Sequence, residues 1–209
     1  MKTYLFDFDG TLVNSMPTFV SVMLRILEEN NIKYEKDIVK TITPLGYGGT
    51  AKYFIDLGLN MPFDSLIKKM NDYAKVEYDT VVKAKESVKE TLTILKEKGY
   101  SLNVLTASPH YILDDCLKRL ELYDLFTNVW SCDDFNTTKA DPNIYLMAAE
   151  KLGVKESEVL FFDDNIGALS TAKKSGMKTC GVYDETSKDY IEEIKAITDK
   201  YIYTFNEIL

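Results

Sequence analysis

Two aspartates with the potential for chemistry stand near the N-terminus, at the end of an apolar run. Asp7 and Asp9 follow the apolar residues 4–6 and precede Gly10 and Thr11, which suit a turn. Side chains two positions apart in a strand point the same way, so the two carboxylates are predicted to lie side by side. Such a pair is costly to keep ionised unless a cation lies between them. The segment therefore indicates a site for Mg2+, with an ordinary solvated strand end as the alternative.

Later segments place further polar groups at the ends of apolar runs or before a predicted helix. Their residues are Thr106-Ala107-Ser108, Lys139 in Lys139-Ala140-Asp141-Pro142, and Asp163-Asp164. Ligands of open parallel sheets bind outside the carboxyl ends of the strands. Because the aspartates, Thr106 and Ser108 all fall at predicted strand ends, these groups are expected to converge on one crevice, with Lys139 leaning into it from a loop.

The elements that must position these groups follow from the hydrophobic pattern. From about residue 83, apolar strands alternate with amphipathic helices, which is typical of a parallel sheet covered on both faces. Residues 14–82 show helical periodicity and no convincing strand. The sequence therefore predicts an α/β fold, in which a Rossmann-like core of residues 1–13 and 83–209 carries an inserted helical domain of residues 14–82.

Several boundaries are predicted from capping and turn residues. Ser15 is expected to be the N-cap of the first helix, with Pro17 in its first turn. A glycine-rich segment, residues 44–50, is predicted to be a loop between two helices. Ser108-Pro109 is predicted to open a helix. Further helices are predicted around 35–42, 49–58, 63–79, 87–98, 142–152, 166–174 and 187–197.

The order and context of these motifs resemble the haloacid dehalogenase (HAD) superfamily. Its first motif matches Asp7 to Leu12, and the later segments match its other motifs over nearly the whole chain. The resemblance implies that Asp7 is a nucleophile forming an aspartyl-phosphate and that Asp9 is the general acid and base. It further implies phosphate binding by Thr106, Ala107 and Lys139, catalysis by Thr106 and Lys139, and Mg2+ binding by Asp7, Asp9, Asp163 and Asp164. Of the last two, Asp164 is favoured as the direct ligand, whereas Asp163 could act through water.

Within the superfamily, residues 9–17 look most like phosphoglycolate-phosphatase members, which usually have Asp in place of Asn14. A β-phosphoglucomutase-like activity is the nearest alternative, but those mutases carry a cap histidine where this chain has Phe19. Dehalogenases lack the second aspartate and phosphonatases replace it, so Asp9 argues against both. Ala140 replaces a common proline after the motif lysine, which predicts a looser loop. A non-catalytic phospho-ligand binding module is the other alternative, although no motif residue is lost.

In similar members the inserted domain is a cap, and a loop matching residues 44–50 reaches over the site to contact the leaving group. Gly46, Tyr47 and Lys52 are therefore candidate substrate contacts. His110, the one histidine in the chain, is expected to have a capping or solvent-exposed role rather than a catalytic one. Specificity is expected to lie in the cap.

Composition limits the partners. The 209 residues carry a formal net charge of −8, which argues against nucleic acid and anionic membranes as partners. A small phosphorylated metabolite would then need a local positive site, to which Lys139 and a metal ion would contribute. The three cysteines show no metal-ligand spacing, and no apolar run approaches about 18 residues. Together with the resemblance, these observations predict a cytoplasmic phosphatase with reduced thiols, whose oligomeric state, monomer or dimer, the sequence leaves open.

Overall fold

The computed structural model describes residues 2–35, 37–42 and 45–209. They form two compact units, one comprising Met1–Asn14 and Lys83–Leu209 and the other Ser15–Val82. We call the first unit the core and the second the cap. Among the helices described, none is both long and apolar enough to cross a lipid bilayer.

The core is built on a six-stranded sheet in which every neighbouring pair is parallel. The strands are β1 (Thr3–Phe6), β2 (Ser101–Thr106), β3 (Asn128–Ser131), β4 (Val159–Asp163), β5 (Lys178–Val182) and β6 (Lys200–Ile202). Their order is β3-β2-β1-β4-β5-β6. The predicted α/β fold with a Rossmann-like parallel sheet is therefore confirmed.

The central strands are buried on both faces, which explains their nearly continuous apolar sequences. On one face, Phe6 stacks on Phe162 with ring centroids 4.6 Å apart, and Tyr4 packs edge-on against the same ring at 5.0 Å. On the other face, Leu5 and Phe161 belong to a separate apolar cluster. Since burying one such side chain contributes about 1.5–3 kcal/mol, the alternation of faces fixes the register of the strands.

Five α-helices connect the strands of the core. They are α5 (Val88–Glu97), α6 (His110–Arg119), α7 (Asn143–Leu152), α8 (Ile166–Lys174) and α9 (Ile191–Ile197). The helix predicted to open at Ser108-Pro109 is α6, and Pro109 occupies its N-cap position. The helix predicted around 187–197 starts later than expected, because residues 185–190 form a 3-10 helix before α9.

In the described part of the cap, four helices surround an apolar interior of their own. They are α1 (Met16–Glu29), α2 (Ile38–Ile42), α3 (Gly46–Asp56) and α4 (Phe63–Thr80). Ser15 occupies the N-cap position of α1, but its side chain makes no capping bond, and its buried hydroxyl has no hydrogen-bond partner among the described residues. The predicted glycine-rich loop is wrong from Gly46 onward, because α3 begins there. Thr43 and Pro44 lie outside the described residues.

The two segments of the core that lead to and from the cap pair with each other. Val13 and Ala84 form an antiparallel bridge. The Asn14 amide donates to the Lys83 carbonyl, and the Lys85 amide donates to the Leu12 carbonyl, each at 2.9 Å. The segment that returns to the core is therefore fixed directly to the loop that follows Asp9.

Candidate active site

The sequence-predicted groups of the core meet at the carboxyl edge of its sheet. The strand order places β1 between β2 and β4, so the chain reverses its winding there, which is where open α/β sheets bind ligands. Phe6 pairs with Phe162, and the Asp7 amide donates to the Phe162 carbonyl at 2.8 Å. Asp7 therefore continues the register of β1 and lies beside Asp163 on β4.

Asp7 and Asp9 do not lie on one strand, contrary to the alternation predicted from the sequence. Strand β1 ends at Phe6, and the backbone turns at Gly10, whose φ is +72°. The Asp9 carboxylate accepts a hydrogen bond from the Ser108 hydroxyl. It lies outside the group of carboxylates that Asp7 forms with β4. Metal ligation by the Asp9 side chain therefore stays a prediction.

Asp7, Asp163 and Asp164 each offer one carboxylate oxygen, and these three oxygens lie within 4.8 Å of one another. The three residues are only 6%, 1% and 9% exposed. Burial, partly offset by Lys139, raises the pKa of Asp7 to about 7, and the charges of Asp163 and Asp9 add to the rise. Burial, then the charges of Asp163 and Asp7, raise the pKa of Asp164 well above its usual range. The arrangement stores carboxylate repulsion that a cation would relieve.

Lys139 contacts two of these carboxylates directly. Its ammonium forms ion pairs with Asp7 and, at 2.9 Å, with Asp163. Burial lowers the pKa of Lys139, but the charges of Asp163 and Asp7 outweigh that effect and leave the pKa raised. The Tyr145 hydroxyl donates to the Lys139 carbonyl at 3.1 Å and thereby ties the backbone of this loop to α7. A buried lysine held by two carboxylates stays charged.

Asp164 is held by the loop that follows Asp9. The Thr11 hydroxyl donates to its carboxylate at 3.0 Å, and Thr11 is fully buried. A Cβ at Gly10 would lie 2.6 Å from Asp164 Oδ2, closer than any side chain tolerates. The Gly-Thr pair therefore supplies both the space and the hydrogen bond that this carboxylate needs, a role beyond the turn predicted from the sequence.

The end of β2 supplies the groups predicted to bind phosphate. Thr106 is buried at the last position of the strand, and its hydroxyl accepts the Ser108 amide at 3.1 Å. Ala107 is exposed in the bend before α6. Since the Ser108 hydroxyl binds Asp9, the segment is connected directly to the first motif. Phosphate binding by Thr106 and Ala107 stays a prediction.

The candidate substrate residues of the cap lie on a helix and not on a loop. Gly46 and Tyr47 stand in the first turn of α3, and Lys52 is exposed further along it. The Tyr47 ring packs edge-on against Phe19 with centroids 5.5 Å apart. Phe19, at the position of the mutase histidine, is a nearly buried member of the cap interior. These contacts give Tyr47 a packing role inside the cap and leave its contact with substrate a prediction.

His110 begins α6, where its ring contacts two carboxylates. Its Nδ1 lies 3.0 Å from an oxygen of Asp114, and its Nε2 lies 2.8 Å from an oxygen of Asp134. The hydrogen bond to Asp114 raises the pKa of His110, partial burial opposes it, and Asp134 raises it further. The two carboxylates lie on opposite ring nitrogens, so they hold the imidazole in place.

Sequence reasoning missed a second lysine at this edge of the core. The Lys85 ammonium lies 2.9 Å from Asp184 and donates to the Tyr183 carbonyl at 2.6 Å. Asp184 stands two residues beyond β5, so its position at a strand end could have identified it. Lys85 had no comparable signal, because it belongs to no motif. Among the effects on the pKa of Asp164, which burial dominates, Asp184 raises it and Lys85 lowers it.

The residues present fit a divalent cation. The site has three formal negative charges, on Asp7, Asp163 and Asp164, and one positive charge, on Lys139. The formal net charge of these four buried residues is therefore −2. Lys85 and Asp184 cancel each other. Carboxylate oxygens are the ligands that hard divalent ions such as Mg2+ prefer. Both the donor chemistry and the charge balance are therefore suitable.

Comparison with known proteins shows the family of the chain. The chain matches the family model described as haloacid dehalogenase-like hydrolase over residues 4–182. It is 30% identical over 179 residues to the pyrophosphatase PpaX of Bacillus velezensis, covering 85% of this chain and 81% of that one. It is 25% identical to a phosphorylated carbohydrates phosphatase of Thermotoga maritima, covering 85% and 83%.

A solved structure shares the whole fold. A protein described as a predicted phosphoglycolate phosphatase, from Haemophilus somnus 129PT, aligns with a TM-score of 0.85 at 23% identity, over 100% of this chain and 96% of that one. This likeness establishes the fold, while the family match and the relatives establish the kind of enzyme. The chain belongs to the haloacid dehalogenase-like hydrolases and is a phosphatase of that family.

Proposed function

We propose that this protein is a Mg2+-dependent phosphatase that hydrolyses a small phosphomonoester through an aspartyl-phosphate on Asp7. The observation that supports this most is the buried Asp7 carboxylate, which contacts Lys139 and shares one site with Asp163 and Asp164. A carboxylate with no such role would be expensive to keep in this environment.

Asp7 attacks phosphorus and displaces the alcohol, forming the phosphorus–oxygen bond of the aspartyl-phosphate while the ester bond breaks. A nucleophile must be ionised, yet burial raises the pKa of Asp7 to about 7. Lys139 opposes that rise and keeps a positive charge against the carboxylate. The same ammonium is suited to balance the charge of an arriving phosphate.

Asp9 protonates the leaving oxygen and then accepts a proton from the water that attacks the aspartyl-phosphate. Its hydrogen bond from Ser108 orients the carboxylate. The Thr106 hydroxyl and the exposed Ala107 segment hold phosphate oxygens at the end of β2. Phosphate would thus lie between the ends of β1 and β2.

Asp7, Asp163 and Asp164 would hold Mg2+, which when bound supplies positive charge beside the phosphate and the nucleophile. Asp9 stays a predicted further ligand, since its carboxylate lies outside the group. The excess of two buried negative charges is the property of this chain that supports a divalent ion over a monovalent one.

Two features bear on the substrate. The relatives named above are described as phosphatases of pyrophosphate or of phosphorylated carbohydrates, so both classes belong in an assay panel. Phe19, packed in the cap interior, stands where the mutases have histidine, which favours hydrolysis over phosphomutase transfer. The substrate we propose is a small phosphorylated metabolite in the cytoplasm, for which Lys139 supplies the local positive charge that the net charge of −8 makes necessary.

The test is phosphate release from phosphorylated sugars, nucleotides, short acids and pyrophosphate, with Mg2+, with excess chelator, and after Mg2+ is restored. Activity is expected to disappear with the chelator and return with the metal. In parallel, the enzyme is quenched during turnover, and any aspartyl-phosphate is reduced with borohydride. Mapping of the peptides should then identify Asp7 as the phosphorylated residue. Full turnover in excess chelator would contradict the proposal, and so would borohydride reduction of a residue other than Asp7.

A further inference from the structure

The Lys85–Asp184 ion pair lies at the carboxyl edge of the sheet, outside the groups assigned above. Both side chains are largely buried, Lys85 at 16% exposed and Asp184 at 3%. Asp184 also accepts hydrogen bonds from the Thr186 amide at 3.0 Å and from the Thr186 hydroxyl at 2.6 Å. A buried pair with this many donors is a fixed structure and not a transient surface contact.

The pair is connected to Asp164 through the backbone. The Lys85 amide donates to the Leu12 carbonyl, and the preceding residue, Thr11, donates its hydroxyl to Asp164. From the other side, Asp184 follows β5, the strand that pairs with β4 as far as Asp163. Lys85 and Asp184 therefore adjoin both elements that hold Asp164, the loop after Asp9 and the end of β4.

The charges of the pair also act on that carboxylate. The pKa of Asp164 is raised chiefly by burial, and within that balance Asp184 and Lys85 act in opposite directions. While the pair is intact it carries no net charge, and the loss of either partner would change the local charge by one unit.

We propose that Lys85 and Asp184 form a mutually neutralised pair beside Asp164, and that this pairing keeps an unbalanced charge away from the Mg2+ site. This inference rests on the proposed function, since it assumes that Asp164 helps to hold Mg2+. Lys85 cannot serve as a second phosphate ligand while it is bound to Asp184 and to the Tyr183 carbonyl.

The experiment measures Mg2+ binding by calorimetry and by the Mg2+-induced rise in Tm, without substrate. Asp184→Asn removes the negative charge that neutralises the Lys85 ammonium and leaves a net positive charge beside Asp164, so the dissociation constant for Mg2+ is expected to rise at least about fivefold. The double variant Lys85→Met with Asp184→Asn removes both charges and is expected to return within about twofold of wild type.

A matched control exists at the opposite end of β5. Asp199 accepts hydrogen bonds from the Thr179 amide and hydroxyl and pairs with Lys173 at 3.6 Å, so Asp199→Asn makes the same chemical change at the amino end of the strand. It is expected to leave Mg2+ affinity unchanged. An equal shift in both variants, no shift in Asp184→Asn, or a double variant as weak as Asp184→Asn would overturn the inference.

If Asp184→Asn does not fold by circular dichroism, Lys85→Met decides the question. That variant leaves a negative charge beside Asp164, so Mg2+ is expected to bind more tightly, and unchanged or weaker binding would overturn the inference. Failure of the wild-type protein to bind Mg2+ would instead contradict the proposed function itself. The two failures are therefore distinguishable.

Discussion

The core and the cap place their polar residues in opposite ways. In the core, the predicted chemical groups are buried and joined by direct bonds, as when Lys139 contacts both Asp7 and Asp163. In the cap, the interior is an apolar cluster, and candidate groups such as Lys52 are exposed or, like Tyr47, packed beside another ring. From this difference we expect the chemistry to depend on the core, and we expect changes on the cap surface to leave the reaction itself intact.

The strongest test of this contrast removes the nucleophile. Asp7→Asn keeps the shape of the side chain and eliminates its charge, so phosphate release is expected to fall at least about 100-fold, the scale of losing a covalent catalyst. The circular dichroism spectrum is expected to stay unchanged, because an amide relieves repulsion among the buried carboxylates.

Asp124→Asn is the control for that variant. Asp124 is exposed in the 3-10 helix that precedes β3, at the amino edge of the sheet, and its loss is expected to leave turnover unchanged. Turnover above about one hundredth of wild type in Asp7→Asn would remove the nucleophilic role from this residue and with it the main support for an aspartyl-phosphate.

A smaller but still large effect is expected at Gly10. Gly10→Ala introduces a Cβ 2.6 Å from Asp164 and forces an alanine into a φ of +72°. The backbone strain costs about 1–2 kcal/mol, and the displaced Asp164 is expected to lower kcat/KM at least about tenfold and to weaken Mg2+ binding. Thermal unfolding and Mg2+ titration measure the two effects separately.

Gly153→Ala separates the effect of backbone strain at a positive φ from the effect of the steric clash with Asp164. Gly153 follows α7 with a φ of +68°, and a Cβ there meets nothing within 4 Å. This variant is expected to lose similar stability and keep its activity. If both alanine variants lose the same activity, the close approach of Gly10 to Asp164 has no functional consequence.

The sequence could predict which residues stand at the carboxyl ends of the strands. The strand ends bearing Asp7, Thr106 and Asp163 were found because buried parallel strands are apolar and a polar residue at their carboxyl end stands out. The convergence of Asp7 with Asp163 and Asp164 followed from the same rule and is present in the structure. Position along a strand is local information, and the sequence carries it directly.

What the sequence could not predict depends on contacts between distant segments. The Ser108–Asp9 bond, the Thr11–Asp164 bond and the Lys85–Asp184 pair join residues separated by 99 or more positions. The glycine-rich segment of the cap was predicted to be a loop because glycine disfavours helix, but packing places Tyr47 against Phe19 and continues α3 through it. Tertiary packing outweighs such a propensity.

The next expected effect concerns specificity and tests the cap side of the contrast. Tyr47→Ala is expected to change the ratio of kcat/KM values among natural substrates by several-fold, and to change p-nitrophenyl phosphate far less, because the catalytic groups lie in the core. Tyr47→Phe keeps the ring against Phe19, so comparison of the two variants distinguishes packing from hydroxyl contact.

Lys52→Ala, on the exposed side of the same helix, gives a second measure of substrate contact. An equal loss for the generic ester and the best natural substrate in Tyr47→Ala would place this helix in the catalytic apparatus. No change in either would limit Tyr47 to packing within the cap.

The smallest expected effect concerns charged residues of the core that lie outside the reaction. His110 begins α6, where the helix dipole disfavours a positive charge, yet Asp114 and Asp134 raise its pKa above the usual value. A raised pKa in the folded state means that His110 contributes its stability below its unfolded pKa, near 6.5, and loses it as pH rises through the folded value. The Tm difference between wild type and His110→Gln is therefore expected to be larger at pH 6 than at pH 9. It should stay small, since the side chain is 41% exposed and exposed ion pairs contribute about 0–1 kcal/mol.

NMR titration of the single imidazole measures its pKa directly, and a value at or below 6.5 would contradict the argument. A large loss of kcat in His110→Gln at both pH values would show that this cluster belongs with the catalytic residues of the core.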